Sequence, residues 1–230
     1  RFLNRVELEK DLSLMTPSDI MFRKALRHTG FKFGVFLLLL LAFIGIFVPF
    51  FVDISPYDQD ITNRLLPPVW SEGGSWKYIF GTDGNGRDYL ARIIYGTRIS
   101  LTIGIGAAFV GMIIGVTLGV IAGYFGGFVD QVINYILTCQ LALPGILFLL
   151  TIISIVGSSV TVVILVIGVL HWTLFLVVTR AATQRIRNLD YVTAAQALGA
   201  SKFKIIFHDI IPNVLNQIIV IFTLEVGIAI

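Results

Sequence analysis

Five long apolar runs constrain this chain more than any other feature, because each is long enough to cross a lipid bilayer as a helix. They cover residues 33–52, 99–124, 132–156, 160–179 and 214–230, and within them the only Asp, Glu, Lys, Arg or His side chains are His171 and Glu225. A helix rises about 1.5 Å per residue, so about 20 apolar residues cross a hydrocarbon core of roughly 30 Å. With 56% hydrophobic and 13% charged residues among 230, the chain is too apolar for a soluble domain, where roughly a quarter of residues are charged. Eighteen Phe and 22 Gly against 7 Pro suit helices packed in lipid, and the composition excludes collagen-like, disordered and disulfide-scaffold classes. The single cysteine, Cys139, has no partner for an internal disulfide and reads as a small buried hydrophobe. The first run follows 32 residues and exceeds the apolar core of a signal peptide, so it reads as a retained span. The expected fold class is an all-α membrane protein with five transmembrane helices.

Lys and Arg concentrate on the cytoplasmic side of membrane proteins. Seven of the 17 precede the first run and five (Arg180, Arg185, Arg187, Lys202, Lys204) lie between the fourth and fifth, whereas five are spread among six acids over residues 53–98. The amino terminus is therefore expected in the cytoplasm. Residues 1–32 become a cytoplasmic segment, 33–52 the first transmembrane helix, 53–98 an extracytoplasmic loop, and 99–230 a core with a cytoplasmic loop at 188–213. Short connectors at 125–131 and 157–159 make runs two, three and four antiparallel neighbours. The fifth run is still apolar at Ile230, which leads us to expect a sixth span in a longer chain.

Gly111, Gly115, Gly119 and Gly123 recur every four residues after Ala107, giving one helix face almost no side chain. Such a strip permits close packing of a second helix, or sliding of one helix along another. Pro144 removes a backbone donor within the third run and is expected to kink it. The polar side chains within runs, Gln140, His171, Asn216, Gln217 and Glu225, are candidates for a solute pathway, because an unpaired ionisable group in hydrocarbon is costly. Glu225 fits either a cavity or a partner within the bundle, or else the outer interface, and His171 a hydrogen bond to a neighbouring helix. In the loop at 188–213, Asp190 can cap a short helix over 191–198, Gly199 suits its left-handed end, and Ser201 can cap a second helix leading to Pro212. A short helix presented outside the bilayer is shaped to dock on another protein.

The stretch TAAQALGASKFKIIFHDIIPN, residues 193–213, resembles the coupling-loop signature of ABC-importer permeases: Glu-Ala-Ala, three residues, Gly, nine residues, Ile, one residue, Leu-Pro. Ala194, Ala195, Gly199 and Pro212 match, while Thr193 replaces Glu, Asp209 replaces Ile and Ile211 replaces Leu. FGTDGNGRDYLARIIYGTRISLTIG, residues 80–104, and GVIAGYFGGFVD, residues 119–130, resemble the C-type permease subunit of the dipeptide, oligopeptide and nickel importers. The resemblance implies the type I ABC-importer permease fold and a transport subunit that is not an enzyme. By it, Thr193, Ala194, Ala195, Gly199 and Pro212 couple to two cytoplasmic ATPase subunits, which carry ATP and Mg while this chain binds no cofactor. It further implies a homologous second permease, an extracytoplasmic solute-binding protein and a bacterial inner-membrane location.

No phosphate-binding Gly-x-x-x-x-Gly-Lys-Ser/Thr loop, serine elbow or His-Glu-x-x-His zinc motif occurs in the chain, and its scattered basic residues do not suggest nucleic-acid binding. Two readings from other classes stay open on the residues alone. One is an intramembrane enzyme with His171 and Glu225 as an acid/base pair within hydrogen-bond reach. The other is a secondary transporter or channel acting without an ATPase.

Overall fold

The computed structural model describes residues 27–51 and 55–230. Most of the amino-terminal segment expected over 1–32, and the junction at 52–54, lie outside the described residues. The chain divides into two compact units, Arg1–Arg98 and Ile99–Ile230.

The first unit contains helix α1 (Thr29–Phe51), the polar loop and the beginning of α2 (Tyr89–Phe125). Phe33, Phe36, Leu38 and Leu39 are all more than 60% exposed, as expected of a helix whose apolar side chains face lipid. The loop is organised by its two Asp-containing blocks. Asp83 accepts backbone N–H bonds from Asn85 (2.8 Å) and Arg87 (3.0 Å) and side-chain bonds from Arg87 Nε (2.8 Å) and Arg92 (2.5 Å). Asp88 caps α2 by accepting from the backbone N–H of Leu90 at 2.7 Å. Between them Gly86 takes a φ of 74°, and a side chain there would also strike the Asp60 carbonyl. The glycines and acids of this motif are therefore turn and cap residues, with the hydroxyl of Thr82 bridging the Asn63 carbonyl and the Leu66 N–H.

The second unit is a helical bundle built on the remainder of α2. It comprises α3 (Gly127–Leu141), α4 (Gly145–Val156), α5 (Val160–Leu170), α6 (Trp172–Arg187), α7 (Asp190–Ala197), the single turn α8 (Lys202–Lys204), a π-helical segment (Ile205–Ile210) and α9 (Ile211–Ala229). Four helical stretches among the described residues are long and apolar enough to cross a membrane: Thr29–Pro49, Tyr89–Phe125, Val160–Arg187 and Lys202–Ala229. A fifth span is counted if α3 and α4, bent by 81°, are taken together.

Two of the expected spans are thus corrected. The run at 132–156 is broken rather than kinked: Pro144 restricts Leu143 to extended backbone, and Ala142 and Leu143 leave the helix before α4 starts. The run at 160–179 also breaks, at His171, and its helix continues to Arg187. Cys139, expected to be buried, is exposed. It lies about 200° around α3 from Leu137, on the face opposite the buried Ile133 and Leu137.

Helix α6 is the centre of the bundle. Phe175 and Leu176 are fully buried, and Trp172, Phe175, Ala182 and Ile186 meet residues of α2, α3 and α9 in two apolar clusters. The glycine strip of α2 lies directly on it. A Cβ built on Gly115 would stand 2.3 Å from the Trp172 carbonyl oxygen, one on Gly119 2.9 Å from that of Leu176, and one on Gly123 2.7 Å from that of Arg180. Lipid offers helices no hydrophobic gain on association, so backbones held this closely by dispersion are what binds α2 to α6.

Candidate functional site

Two regions of the second unit contain the expected functional residues. At one end of the bundle, α7 is a two-turn helix whose one buried side chain, Val192, packs with Ile186, Ile205 and Val214, while the Tyr191 hydroxyl accepts from the Asn213 amide of α9 at 3.4 Å. The helix begins one residue earlier than the capping pattern suggested. Leu189 is the N-cap and Asp190 the first helical residue, so the Asp190 side chain is not the cap. Gly199 closes the helix with a φ of 82°, while Gly199 N–H donates to Gln196 and Ala200 N–H to Ala195, both at 3.0 Å. Ser201 caps α8 by accepting from the Lys204 N–H at 3.3 Å.

Thr193 turns its hydroxyl back to the Leu189 and Asp190 carbonyls, at 3.0 and 3.1 Å, and Thr193 and Ala194 are exposed while Ala195 is half-buried. Leu198 beside them is 88% exposed, a large apolar side chain with no cover in this chain. Pro212 lies in the first turn of α9 behind the π-helical segment. Proline lacks an N–H and its ring crowds the carbonyl four residues back, so the wider π turn accommodates it. The result is a nearly continuous rod from Lys202 to Ala229 whose one end adjoins α7.

The same end carries a group of charges that the sequence reading did not single out. Arg180 of α6 makes a bidentate pair with Asp130 of α3, at 2.5 and 2.6 Å, and Asn134 donates to the same carboxylate at 2.8 Å. Arg187 donates to the Tyr124 carbonyl at 2.7 Å, satisfying an acceptor at the end of α2. The pair ties α3 to α6 beside the turn at 125–127. Its only sequence signal is an acid in the connector at 125–131 and a base just past the run at 160–179, 50 residues apart.

The second region is a polar cluster around the break between α5 and α6. Gln140 of α3 donates its amide to the Val169 and Leu170 carbonyls, just before the break, at 3.2 and 2.9 Å while accepting from the Trp172 indole. His171 Nδ1 and Glu225 Oε2 of α9 are 2.5 Å apart, and Glu225 is only 5% exposed. Gln140, His171 and Glu225 therefore converge from three helices. Of the two places considered for Glu225, the structure has the buried, partnered one.

Asn216 and Gln217 do not join them. Asn216 is exposed and lies about 13 Å along α9 from Glu225, nine residues at ~1.5 Å each. Gln217 serves its own helix, its amide donating to the Val214 and Asn213 carbonyls at 2.9 and 3.3 Å in the orientation that satisfies both amide atoms. Among the described residues no cluster of three or more His, Cys, Asp or Glu side chains could hold a metal ion.

These features define a multi-pass helical membrane protein with an intramembrane polar cluster and a short helix presented at one end. Comparison with known proteins gives the family. Residues 115–230 match the binding-protein-dependent transport system inner membrane component family, and residues 16–68 match the N-terminal transmembrane domain of oligopeptide transport permease C. The dipeptide transport system permease protein of Haemophilus influenzae is 38% identical over 204 residues, covering 89% of this chain and 69% of that one. A di/tripeptide transport system permease protein of Pseudomonas aeruginosa is 34% identical over 96% of this chain and 73% of its own length. A glutathione transport system permease protein of Pectobacterium atrosepticum is 35% identical over 96% and 72%.

The chain belongs to the C-type branch of the binding-protein-dependent inner-membrane permeases and has the type I ABC-importer permease fold. It is a multi-pass inner-membrane transport subunit, and ATP hydrolysis takes place in separate subunits of the importer. His171 and Glu225 do come within hydrogen-bond reach, the geometry the enzyme reading required. Family membership nevertheless makes the chain a transport subunit and not an enzyme. It also removes the reading of a transporter that acts without an ATPase.

Proposed function

We propose that this subunit forms half of a solute pathway for peptides or a closely related small solute, together with a homologous second permease. Two cytoplasmic ATPases dock on α7, and an extracytoplasmic binding protein delivers solute to the side bearing the loop at 53–98. The amino terminus and the loop at 188–213 are cytoplasmic in this reading, consistent with the bias of Lys and Arg. The peptide assignment rests on the relatives named for dipeptide and di/tripeptide transport, and the glutathione permease at similar identity marks how near other solutes lie. The chain binds neither ATP nor Mg.

The carrying observation is the construction of α7. A helix with Val192 as its one buried side chain and Thr193, Ala194 and Leu198 exposed presents a surface to a partner, and it is joined through Gly199 and α8 to the rod ending near Glu225. Closure of the ATPases on ATP moves α7, and the rod carries that motion to the broken helices, a rigid-body switch between two states with different ligands.

The experiment is Ala194→Trp in the assembled importer. Ala194 is exposed, so the indole obstructs docking without disturbing the core. Insertion and pairing with the second permease are expected to persist, while the ATPases no longer copurify and solute uptake is lost. Normal uptake with normal ATPase recovery would remove the coupling assignment.

A further inference from the structure

A groove of about 520 Å3 runs between the end of α2 and the start of the Lys202–Ala229 rod. Its walls include Val116, Val120 and Phe125 of α2 and Phe203, Phe207 and Ile211 of the rod. Only two lining side chains are polar. The Thr117 hydroxyl donates to the Ile113 carbonyl of its own helix at 2.6 Å, and the Lys202 ammonium stands 5.4 Å from the centre of the Phe125 ring. No acid lines the groove, and among the described residues Lys202 forms no ion pair.

The groove has a direction. Lys202 and Phe125 meet at one end, where the apolar run of α2 gives way to the connector at 125–131. Val116 lies nine positions back along α2, so apolar walls extend about 13 Å into the span from the charge, at ~1.5 Å per residue. A cation at the membrane surface above a hydrocarbon-lined groove matches a phospholipid, whose charged headgroup lies at the surface and whose acyl chain lies beneath it. A second helix fits these walls less well. Helices in membranes meet over small residues, as α2 meets α6 through its glycines, whereas no Gly, Ala or Ser lines this groove. Phe203 and Phe207 stack with ring centres 6.4 Å apart and remain 77% and 58% exposed, as lipid-facing side chains do.

We propose that this groove is a binding site for an anionic phospholipid of the cytoplasmic leaflet, with one acyl chain along its walls and the phosphate on the Lys202 ammonium. The proposal rests on the importer reading only for the leaflet, since that reading puts the loop at 188–213 in the cytoplasm. It places the lipid against the rod that carries motion from α7.

The test uses the complete importer carrying Phe207→p-benzoylphenylalanine, in nanodiscs of phosphatidylcholine with a minor share of phosphatidylglycerol. After irradiation, mass spectrometry identifies what residue 207 has captured. Phosphatidylglycerol adducts are expected about fivefold above its share of the bilayer, the equilibrium worth of one lysine beside an anionic headgroup. Lys202→Gln should return them to that share. Lys204→Gln should keep the excess, because Lys204 does not line the groove; both lysines are exposed, so neither change disturbs the core. Equal losses in the two variants would make the attraction a property of the whole basic surface and overturn the site. Lipid adducts in the bulk ratio before either change do the same. Adducts to the second permease or another chain would make the groove a protein interface. A lack of lipid adducts at 207, while Ile219→p-benzoylphenylalanine on the exposed face of α9 captures lipid, also overturns the proposal. Recovery of the ATPases and solute-stimulated ATP hydrolysis, read in the same nanodiscs, test the importer reading separately. Their absence with the phosphatidylglycerol excess intact removes that reading and leaves the lipid site.

Discussion

The seam between α2 and α6 and the polar loop at 55–88 are held together by opposite means. Over Gly115 to Gly123 the seam's contacts are glycine against carbonyl and Cβ at distances where a methyl group has no room, and the Arg187 bond to the Tyr124 carbonyl comes only at its end. Even its two hydroxyls, Thr179 and Thr183, are completely buried and unpaired. The loop has few large buried side chains. It is gathered around Asp83, which takes four hydrogen bonds from three residues, and its Trp70 and Trp76 are 69% and 83% exposed. Where lipid replaces water, burial of apolar groups gives no drive to association, and shape alone remains. Where water is present, a short segment can be organised by one charged acceptor and a few fixed turns. The seam should therefore fail by volume and the loop by charge.

The largest effect is expected from Gly115→Leu. Its first atom alone would meet the Trp172 carbonyl oxygen at 2.3 Å, the Phe175 Cβ at 2.5 Å and the Leu176 nitrogen at 3.0 Å, two of which are backbone of a central helix. Overpacking that shifts only side chains costs roughly 1–3 kcal/mol, and separating two backbones exceeds that range. We expect loss of the monodisperse detergent-solubilised protein in size-exclusion chromatography. A variant that elutes and melts like the wild type would show that the seam is not a packed contact.

Arg180→Ala comes next, and it asks whether a charge within the bundle behaves like the loop or like the seam. Asp130 and Arg180 side chains are 18% and 29% exposed, so removing the arginine leaves a largely buried carboxylate with Asn134 as its remaining side-chain partner. A cost of about 2–4 kcal/mol is expected, somewhat below that of a fully buried pair. The double variant Asp130→Leu/Arg180→Met should recover most of it, since apolar replacements of similar volume often match a buried ion pair. No recovery would mean that the pair's geometry, rather than relief of a lone charge, sustains the junction of α3 and α6.

The loop's response to acid is smaller and has a definite sign. The Arg87 backbone N–H, helped by the Asn85 N–H and the Arg87 side chain, lowers the Asp83 carboxyl from its ordinary 3.8 to about 2. A carboxylate whose folded value is depressed contributes stability that is present in full above its unfolded value and is lost as pH falls through the folded one. Loop protection should thus decline between about pH 4 and pH 2. The protection factors of the backbone amides of residues 83–88, each referred to its intrinsic exchange rate at that pH, should fall over that window more than those along α6. Asp83→Asn should flatten the difference, and a wild-type loop insensitive to acid over that range would separate it from its hub.

Parts of this architecture are legible from sequence because they are local. The Gly199 end of α7 and the Ser201 cap of α8 depend on side chains and N–H groups within a few residues, and both form as the residues suggest. The five apolar runs follow from length and composition. The corrections lie where distant residues decide. His171 interrupts a run of β-branched and aliphatic residues with no proline in it, and Gln140, about 30 positions away, donates to the carbonyls just before the break. The partner of His171 is 54 positions away, and that of Asp130 is 50 away. Pattern identified Gln140, His171 and Glu225 as polar residues needing partners, but not one another as those partners. Cys139 is exposed against expectation because its residue type is usually buried in soluble cores, whereas in a membrane bundle the outward face of α3 is apolar as well.

The smallest effect is the one that best separates packing from polarity within the seam. Thr183 is fully buried against the strip, its Cβ is 2.7 Å from where a Gly123 Cβ would stand, and its hydroxyl has no partner. Thr183→Val keeps the branched shape and replaces the hydroxyl by a methyl, so the van der Waals fit is nearly preserved while an unsatisfied polar group is removed. Desolvating an unpaired hydroxyl costs about 1–3 kcal/mol by mutational data, offset here by the slightly larger methyl, so a stabilisation of about 1 kcal/mol is expected. Gly123→Ala, which adds one methyl to the opposite side of the same contact, should destabilise. Thermal melting in detergent would register the two shifts with opposite signs. If Thr183→Val instead lowers the melting temperature as much as Gly123→Ala, the hydroxyl has a hydrogen-bond partner in the folded protein in solution, and the seam is polar at that point.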